Sequence, residues 1–306
     1  MPADLKRPRA GESPKATKAT KKDVAARPPP SDSEWEQEFS EMSEPEAAGQ
    51  KQQTMAQCIA TTIRDYPSEN TVKEFVQNAE DAGATEFAMY VDEREAPTDR
   101  LICSSTRELQ GPTLVFRNNE IFTAEDFAQI LQMNQGSKKG KTGKIGRHGV
   151  GFNSGANFGD MPIIVSDATI QVLDSRLYLK NAKRVEIAKG HFHDCSTSKD
   201  EPGKKFKPHQ LQRPTLRNQF GRFTWPPYNL KTEKGDRFDE TLVGIALRKK
   251  LIETGEAQLS KNLWTPESVH NLLAPLLANE VRLYLLFLRS VEKTTFALIP
   301  KEAPKD

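Results

Sequence analysis

Large apolar residues are nearly missing from the first fifty positions, and from about Gln52 they recur first with helical and then with strand spacing. Residues 54–66 suit a helix that Pro67 ends. Ser68 or Asn70 can cap a second helix, whose Val72, Phe75, Val76 and Ala79 form one stripe before Gly83 closes it. Phe87, Met89 and Val91 alternate as in a half-buried strand. A loop through Pro97 and residues 100–111 leads to LVFR, a predicted strand, and Thr123 with Asp126 forms a loose capping box that opens another helix. The run GSKKGKTGKIGRHGVGF, 136–152, holds too many glycines for a regular element and reads as a long loop, with a helix beginning near Val150. IIVSD, TIQVLD and LVGIALR follow as strands. Thr265 and Pro266 start a last helix that Pro275 is expected to interrupt, and the apolar VRLYLLFL, 281–288, should pack under the sheet. Residues 190–235 are polar, contain prolines and show little periodicity, and the chain has no internal repeat.

Composition adds limits. The chain has 306 residues, a hydrophobic fraction of 36% and a mean hydropathy of −0.66, so it can bury a core and still carry segments too polar to fold. Its 44 Lys+Arg and 42 Asp+Glu leave a formal charge of +2, which argues against neutralising nucleic-acid phosphates over the whole surface. The charge of the first fifty residues is segregated. Lys6, Arg7, Arg9, Lys15, Lys18, Lys21, Lys22 and Arg27 precede Asp32, Glu34, Glu36, Glu38, Glu41, Glu44 and Glu46. The basic clusters KRPR and KATKK resemble a bipartite nuclear-import signal, so a nuclear location stands beside a cytoplasmic one. The cysteines, Cys58, Cys103 and Cys195, are odd in number and far apart, which indicates a reducing compartment, not a disulfide framework. No run approaches the roughly 20 apolar residues that cross a bilayer, and the start MPADLKRPRA lacks a signal-peptide core. A soluble intracellular protein is expected.

Two constellations carry chemistry. On the helix 69–85, Glu74, Asn78 and Asp81 share a polar face opposite the apolar stripe. A carboxylate one turn from an amide oxygen is able to activate a water beside a magnesium ion that the amide ligates, which is what phosphoryl transfer needs. In 136–152, closely spaced glycines let backbone amides approach an anion, with cations among them. The run lacks the Lys-Ser/Thr pair of a Walker A loop, and no strand leads tightly into it as a dinucleotide-binding turn requires.

EFVQNAEDAGAT, GPTLVFRNNEIFTAEDF and SKKGKTGKIGRHGVGFNS, in this order and at these intervals, resemble the N-terminal ATPase module of sacsin-like proteins. That module is a branch of the GHKL superfamily, which includes DNA gyrase, the ninety-kilodalton heat-shock chaperone, sensor histidine kinases and MutL. ETLVGIALR and LYLLFLRSVEKTTF look like the later strand and closing helix-plus-strand of the same module. The resemblance implies an α/β two-layer sandwich, a mixed and mainly antiparallel sheet with helices on one face and ATP held between helices and lid. It covers an ATP-binding domain at 52–300, leaving a short tail at 301–306 and, at 1–51, a charged stretch whose shortage of large apolar residues predicts a disordered tail.

Carried over by position, the resemblance makes Glu74 the general base and Asn78 the ligand of the magnesium ion that bridges the ATP phosphates. Asp81 lines the nucleotide pocket. Gly146, Gly149, Val150, Gly151 and Phe152 match the second glycine box, Ser137 and Lys138 match lid residues that reach the phosphates, and Thr241 matches a strand Thr near the adenine. The superfamily's Asp-x-Gly-x-Gly is replaced here by Arg117-Asn-Asn-Glu-Ile-Phe-Thr123, so Asn118 or Asn119 would accept the adenine amino group through a neutral, weaker acceptor. Glu240 stands where a Gly often precedes the Thr. No following domain is read here that would supply a charge-stabilising cation, so slow turnover or nucleotide-gated binding is expected, with Lys138, Lys139, Lys141, Lys144 and Arg147 as internal candidates.

The function implied is a magnesium-dependent ATP-binding module with slow hydrolysis and a lid that gates chaperone-like protein interaction, with a homodimer through the lid as one form. Its competitors are a nucleotide-independent scaffold with a degenerate pocket and a nuclear DNA-associated ATPase resembling the MORC and MutL branches. Other signals read more plainly. His191, His193 and Cys195, with His209, have zinc-ligand chemistry but are expected as polar loop residues. Trp225-Pro-Pro with Phe220, Phe223, Arg217 and Arg222 is expected to anchor an irregular loop, the alternative being a single-strand nucleic-acid patch.

Overall fold

The computed structural model describes residues 54–130, 150–182, 184–188, 190–251, 259–279 and 286–306. Its centre is a seven-stranded sheet of order β7-β4-β3-β8-β2-β1-β9. The strands are β1 (Glu86–Asp92), β2 (Thr113–Asn118), β3 (Ile163–Asp167), β4 (Thr169–Leu173), β7 (Gly203–Phe206), β8 (Phe238–Ala246) and β9 (Lys293–Ile299). Neighbours are antiparallel except β1 and β9, which run parallel. A separate hairpin joins β5 (Arg184–Ala188) to β6 (His191–Asp194). Side chains that alternate along each strand build two cores. Phe87, Met89, Leu114, Phe116, Ile164, Val243 and Ile245 point to one, while Ala88, Tyr90, Val115, Val165 and Leu242 point to the other. β1 is therefore buried on both faces after its first residue, not half-buried, because the sheet is covered on its second side too.

Helices cover the first face. α1 (Met55–Ile63) opens on a capping box between Thr54 and Gln57. α2 (Asn70–Ala82) turns Val72, Phe75, Val76 and Ala79 inward and stops at Gly83, whose φ of 84° is the left-handed conformation glycine tolerates. Neither Ser68 nor Asn70 caps it by side chain; the amides of Asn70 and Thr71 bond to the carbonyls of Pro67 and Ser68, so a backbone turn does that work. α3 (Ala124–Gln129) has the expected Thr123–Asp126 box. α4 (Val150–Asn153) continues into a 3-10 turn, Ser154–Asn157, that passes close to β8. A Cβ on Gly159 would lie 2.1 Å from the Ala246 carbonyl oxygen, so that approach needs a bare Cα. α6 (Pro266–Asn279) runs through Pro275 instead of breaking there. One backbone bond is lost, but Leu273 and Leu276 on either side are buried in the core and hold the helix together.

The second face is covered by the stretch that looked least regular. Short pieces, Pro208–Gln212, α5 (Pro214–Phe220) and Gly221–Thr224, bring Leu211, Leu216, Phe220 and Phe223 into the second core, joined by Tyr228 and Leu230. Each piece is too short to show a period. Trp225 anchors the loop there, as expected. Residues 301–306, expected as a tail, are exposed except for the half-buried Ala303, and they touch this face at points: Arg94 Nη1 donates to the Pro304 carbonyl at 2.7 Å and the Lys305 ammonium lies 5.2 Å from the Trp225 ring centre. VRLYLLFL is corrected at its described end. Leu286 and Phe287 are 75% and 83% exposed, and of residues 286–288 Leu288 alone packs on the core; 281–285 lie outside the described residues. Among the described residues no helix is long and apolar enough to cross a membrane.

Candidate functional site

α2 is fixed from three sides. Phe75 stacks on Phe116 of β2, ring centres 3.8 Å apart and planes 3° from parallel, and meets Phe152 of α4 at 5.8 Å. Thr71 Oγ1 donates to the Ser154 carbonyl, and Ser154 Oγ donates to the Gly151 carbonyl at 2.6 Å. Arg248, buried after β8, holds the same segment by donating to the carbonyls of Ala156 and Asn157 and to Asp160. These contacts place Glu74, the neighbour of Phe75, at the border between α2 and α4.

The Glu74 carboxylate is directed on both oxygens. Oε1 accepts a hydrogen bond from the Tyr66 hydroxyl, and Oε2 has no donor among the described residues. Oε2 stands beside Gly151, where a Cβ would lie 2.3 Å from it, so the glycine box residue leaves the space the carboxylate occupies. Burial pushes the Tyr66 phenol above its ordinary range, and the hydrogen bond to Glu74 and the negative charge there push it further. One turn along, Asn78 is exposed and has no partner among the described residues; Asp81 is half-exposed on the same helix.

A second group forms a row across three strands on the helical face. Asn118 of β2, Thr241 of β8 and Ser166 of β3 are register neighbours. The Phe122 amide donates to Ser166 Oγ at 2.9 Å, and Thr241 Oγ1 donates to the Glu120 carbonyl at 2.7 Å. The remaining 2.8 Å contact between the two hydroxyls therefore has Ser166 as donor. Thr241, 1% exposed, acts by pinning the loop after β2. The two asparagines differ. Asn119 Oδ1 accepts from the amides of Thr85 and Glu86, which uses both lone pairs, while among the described residues Asn118 Oδ1 accepts from Glu120 alone and keeps one. Asn118 lies two residues from Phe116, roughly 7 Å along β2, so this row adjoins the wall that carries Glu74.

Ser137, Lys138, Lys139, Lys141, Lys144, Gly146, Arg147 and Gly149 lie outside the described residues; of Val150 the backbone is described, in the first turn of α4. The sites brought together are thus Glu74, Gly151 and Phe152 on one side and Asn118 and Thr241 on the other. Tyr66 and Ser166 were missed by sequence reasoning: Tyr66 lies eight residues and a proline turn before Glu74, and Ser166 sits mid-strand with no motif around it.

No group of three or more His, Cys, Asp or Glu able to hold a metal occurs among the described residues. The oxygen donors at this site, a carboxylate and an exposed carboxamide, suit magnesium, which takes few protein ligands and more from phosphate and water. The candidate zinc residues do not converge. His191 is exposed, the His193 ring packs 5.2 Å from Phe206, and the buried Cys195 thiol is pushed up to about 11 by burial, partly offset by the Val185 backbone.

The family described as Sacsin domain matches residues 52–306. Human Sacsin is 40% identical to the chain over 119 residues, which is 39% of the chain and 3% of that relative's length.

Proposed function

The chain belongs to the sacsin domain family, and on that premise we propose that it is a magnesium-dependent ATP-binding module with slow ATP hydrolysis and a lid that gates protein interaction. One observation carries the reading: the Glu74 carboxylate stands against Gly151 with its Oε2 free of donors among the described residues, so the acidic residue of one motif meets a glycine of the other. An acceptor in that position suits a water attacking the terminal phosphorus. Glu74 takes the water's proton, the new phosphorus–oxygen bond forms, and the bond to the leaving ADP oxygen breaks. Adenine would lie along the row of Asn118, Thr241 and Ser166, where Asn118 keeps an acceptor position and the other two hydroxyls hold the loop in shape. Asn78 and the phosphates would hold magnesium, which when bound neutralises charge on the phosphate oxygens. Ser137, Lys138, Gly146 and Gly149 belong to the lid and phosphate loop in this reading, with Lys139, Lys141, Lys144 and Arg147 as further cations. Closure of that loop over nucleotide would change the surface offered to a protein client.

The test is a titration of the full chain with ATP, with and without magnesium, by calorimetry and by thermal melting. Binding raises stability by RT ln(1 + [L]/Kd), about 2.7 kcal/mol at a hundredfold excess over Kd. Glu74→Ala should keep binding and lose hydrolysis, and Asn78→Ala should lose the magnesium-dependent part of binding. A melting temperature that stays flat to millimolar ATP would favour the nucleotide-independent scaffold.

A further inference from the structure

The geometry points to Tyr66 as the positioning residue of this site: its hydroxyl clamps one oxygen of the Glu74 carboxylate so that the other is presented beside Gly151. The role rests on the ATPase reading above. Tyr66 is itself fixed before it touches Glu74. Its amide donates to the Ile63 carbonyl at 3.1 Å, its own carbonyl receives the Asn157 side-chain amide at 3.4 Å, and Pro67 stiffens the backbone after it. The phenol thus reaches Glu74 from α1 and from the segment behind α4, two elements that do not belong to α2.

The terminal torsion of a glutamate is broad and two-fold, so packing of its stem alone leaves the carboxylate plane undetermined. A single donor on Oε1 removes that freedom, and the oxygen it leaves is the one against the glycine. Tyr66 is half-buried, so the pairing is not imposed by complete enclosure of the ring. The raised phenol keeps its proton at any working pH and remains a donor.

Tyr66→Phe in the full chain removes the donor and little else. Magnesium-ATP affinity by calorimetry should stay within about twofold, while kcat falls by about tenfold to a hundredfold, the loss expected when a general base is held in the wrong orientation. A second readout needs no turnover. In protein carrying 13C at the tyrosine Cζ, the resonance that disappears in Tyr66→Phe should titrate above the ordinary tyrosine range and move down in Glu74→Gln. Unchanged kcat in Tyr66→Phe, with an active wild type, overturns the role while leaving the ATPase reading standing. So does a parallel fall in affinity, melting temperature and kcat, which marks a structural tyrosine, or a Tyr66 resonance indifferent to Glu74→Gln. A wild type that binds and hydrolyses no ATP overturns both.

Discussion

Gly151 is where the chemistry depends on a missing atom. Its backbone lies in a helical turn that alanine accepts, yet a methyl group there meets Glu74 Oε2 at 2.3 Å. That oxygen is the far end of a flexible side chain, so the carboxylate yields before the fold does. Gly151→Ala should therefore unfold within about 1 kcal/mol of wild type in urea, the range of changes that strain no core, while hydrolysis falls and nucleotide still binds. The asparagines give a second contrast. Asn119→Ala strips the amides of Thr85 and Glu86 of their acceptor and should cost about 1 kcal/mol of stability. Asn118→Ala should weaken ATP affinity more than Asn119→Ala does and lower the melting temperature less, which paired calorimetry and melting would show. At this scale helical spacing was enough to put Glu74 and Asn78 on one face of α2, because residues one turn apart share a face whatever surrounds them. It could not choose between Asn118 and Asn119, since that choice depends on which oxygen already has partners. Nor could it find Tyr66, whose contact crosses a turn between two helices.

Elements were legible where their period ran long enough. α2, β2, β3, β4 and β8 sit where the apolar spacing puts them, whereas the cover over the second face, built from pieces such as Pro208–Gln212 and Gly221–Thr224, had no period to read. The helix through Pro275 shows tertiary packing overriding a local breaker. Coupling between elements was also invisible in advance. Glu80, two residues past Asn78 on α2, accepts hydrogen bonds from the amides of Arg289, Ser290 and Val291 and so ties the site helix to the chain entering β9. Slight burial raises its carboxyl, but the amides of Val291, Arg289 and Ser290 and the Arg289 charge outweigh this and hold it below the usual glutamate range. A carboxyl depressed in the folded state stabilises the protein above its unfolded pKa and loses that contribution as pH falls through the folded one. Glu80→Gln should thus melt lower than wild type at neutral pH, and the gap should close progressively as melting is repeated at acid pH below the ordinary glutamate range. A gap constant with pH would assign the effect to packing instead.

The molecule as a whole places Glu74 and a buried cluster of charges on opposite faces of one sheet. Glu74 lies on the helical side, while Asp92, on the other side of β1, is fully buried with Arg94 and faces Arg222 at 3.4 Å. Asp92 accepts from Arg94 Nε and Nη2, both at 2.9 Å, and from the Tyr228 hydroxyl, and Arg222 reaches the carbonyls of Arg94, Gln110 and Gly111. Arg94 in turn binds the Pro304 carbonyl, so a single carboxylate organises the strand edge, the cover loop and the last residues of the domain. It also balances two buried guanidiniums, and burial already holds Arg222 below its ordinary range. Removing one member of such a group leaves uncompensated charge in the interior, a loss of about 3–5 kcal/mol. Asp92→Ala should lower the unfolding free energy measured in urea by that amount, far more than Gly151→Ala. Because the sheet separates Glu74 from this cluster, magnesium-ATP affinity measured well below the new melting temperature should stay at the wild-type value. An affinity that fell together with stability would mean that the sheet transmits the second face to the first and that the two layers do not act independently.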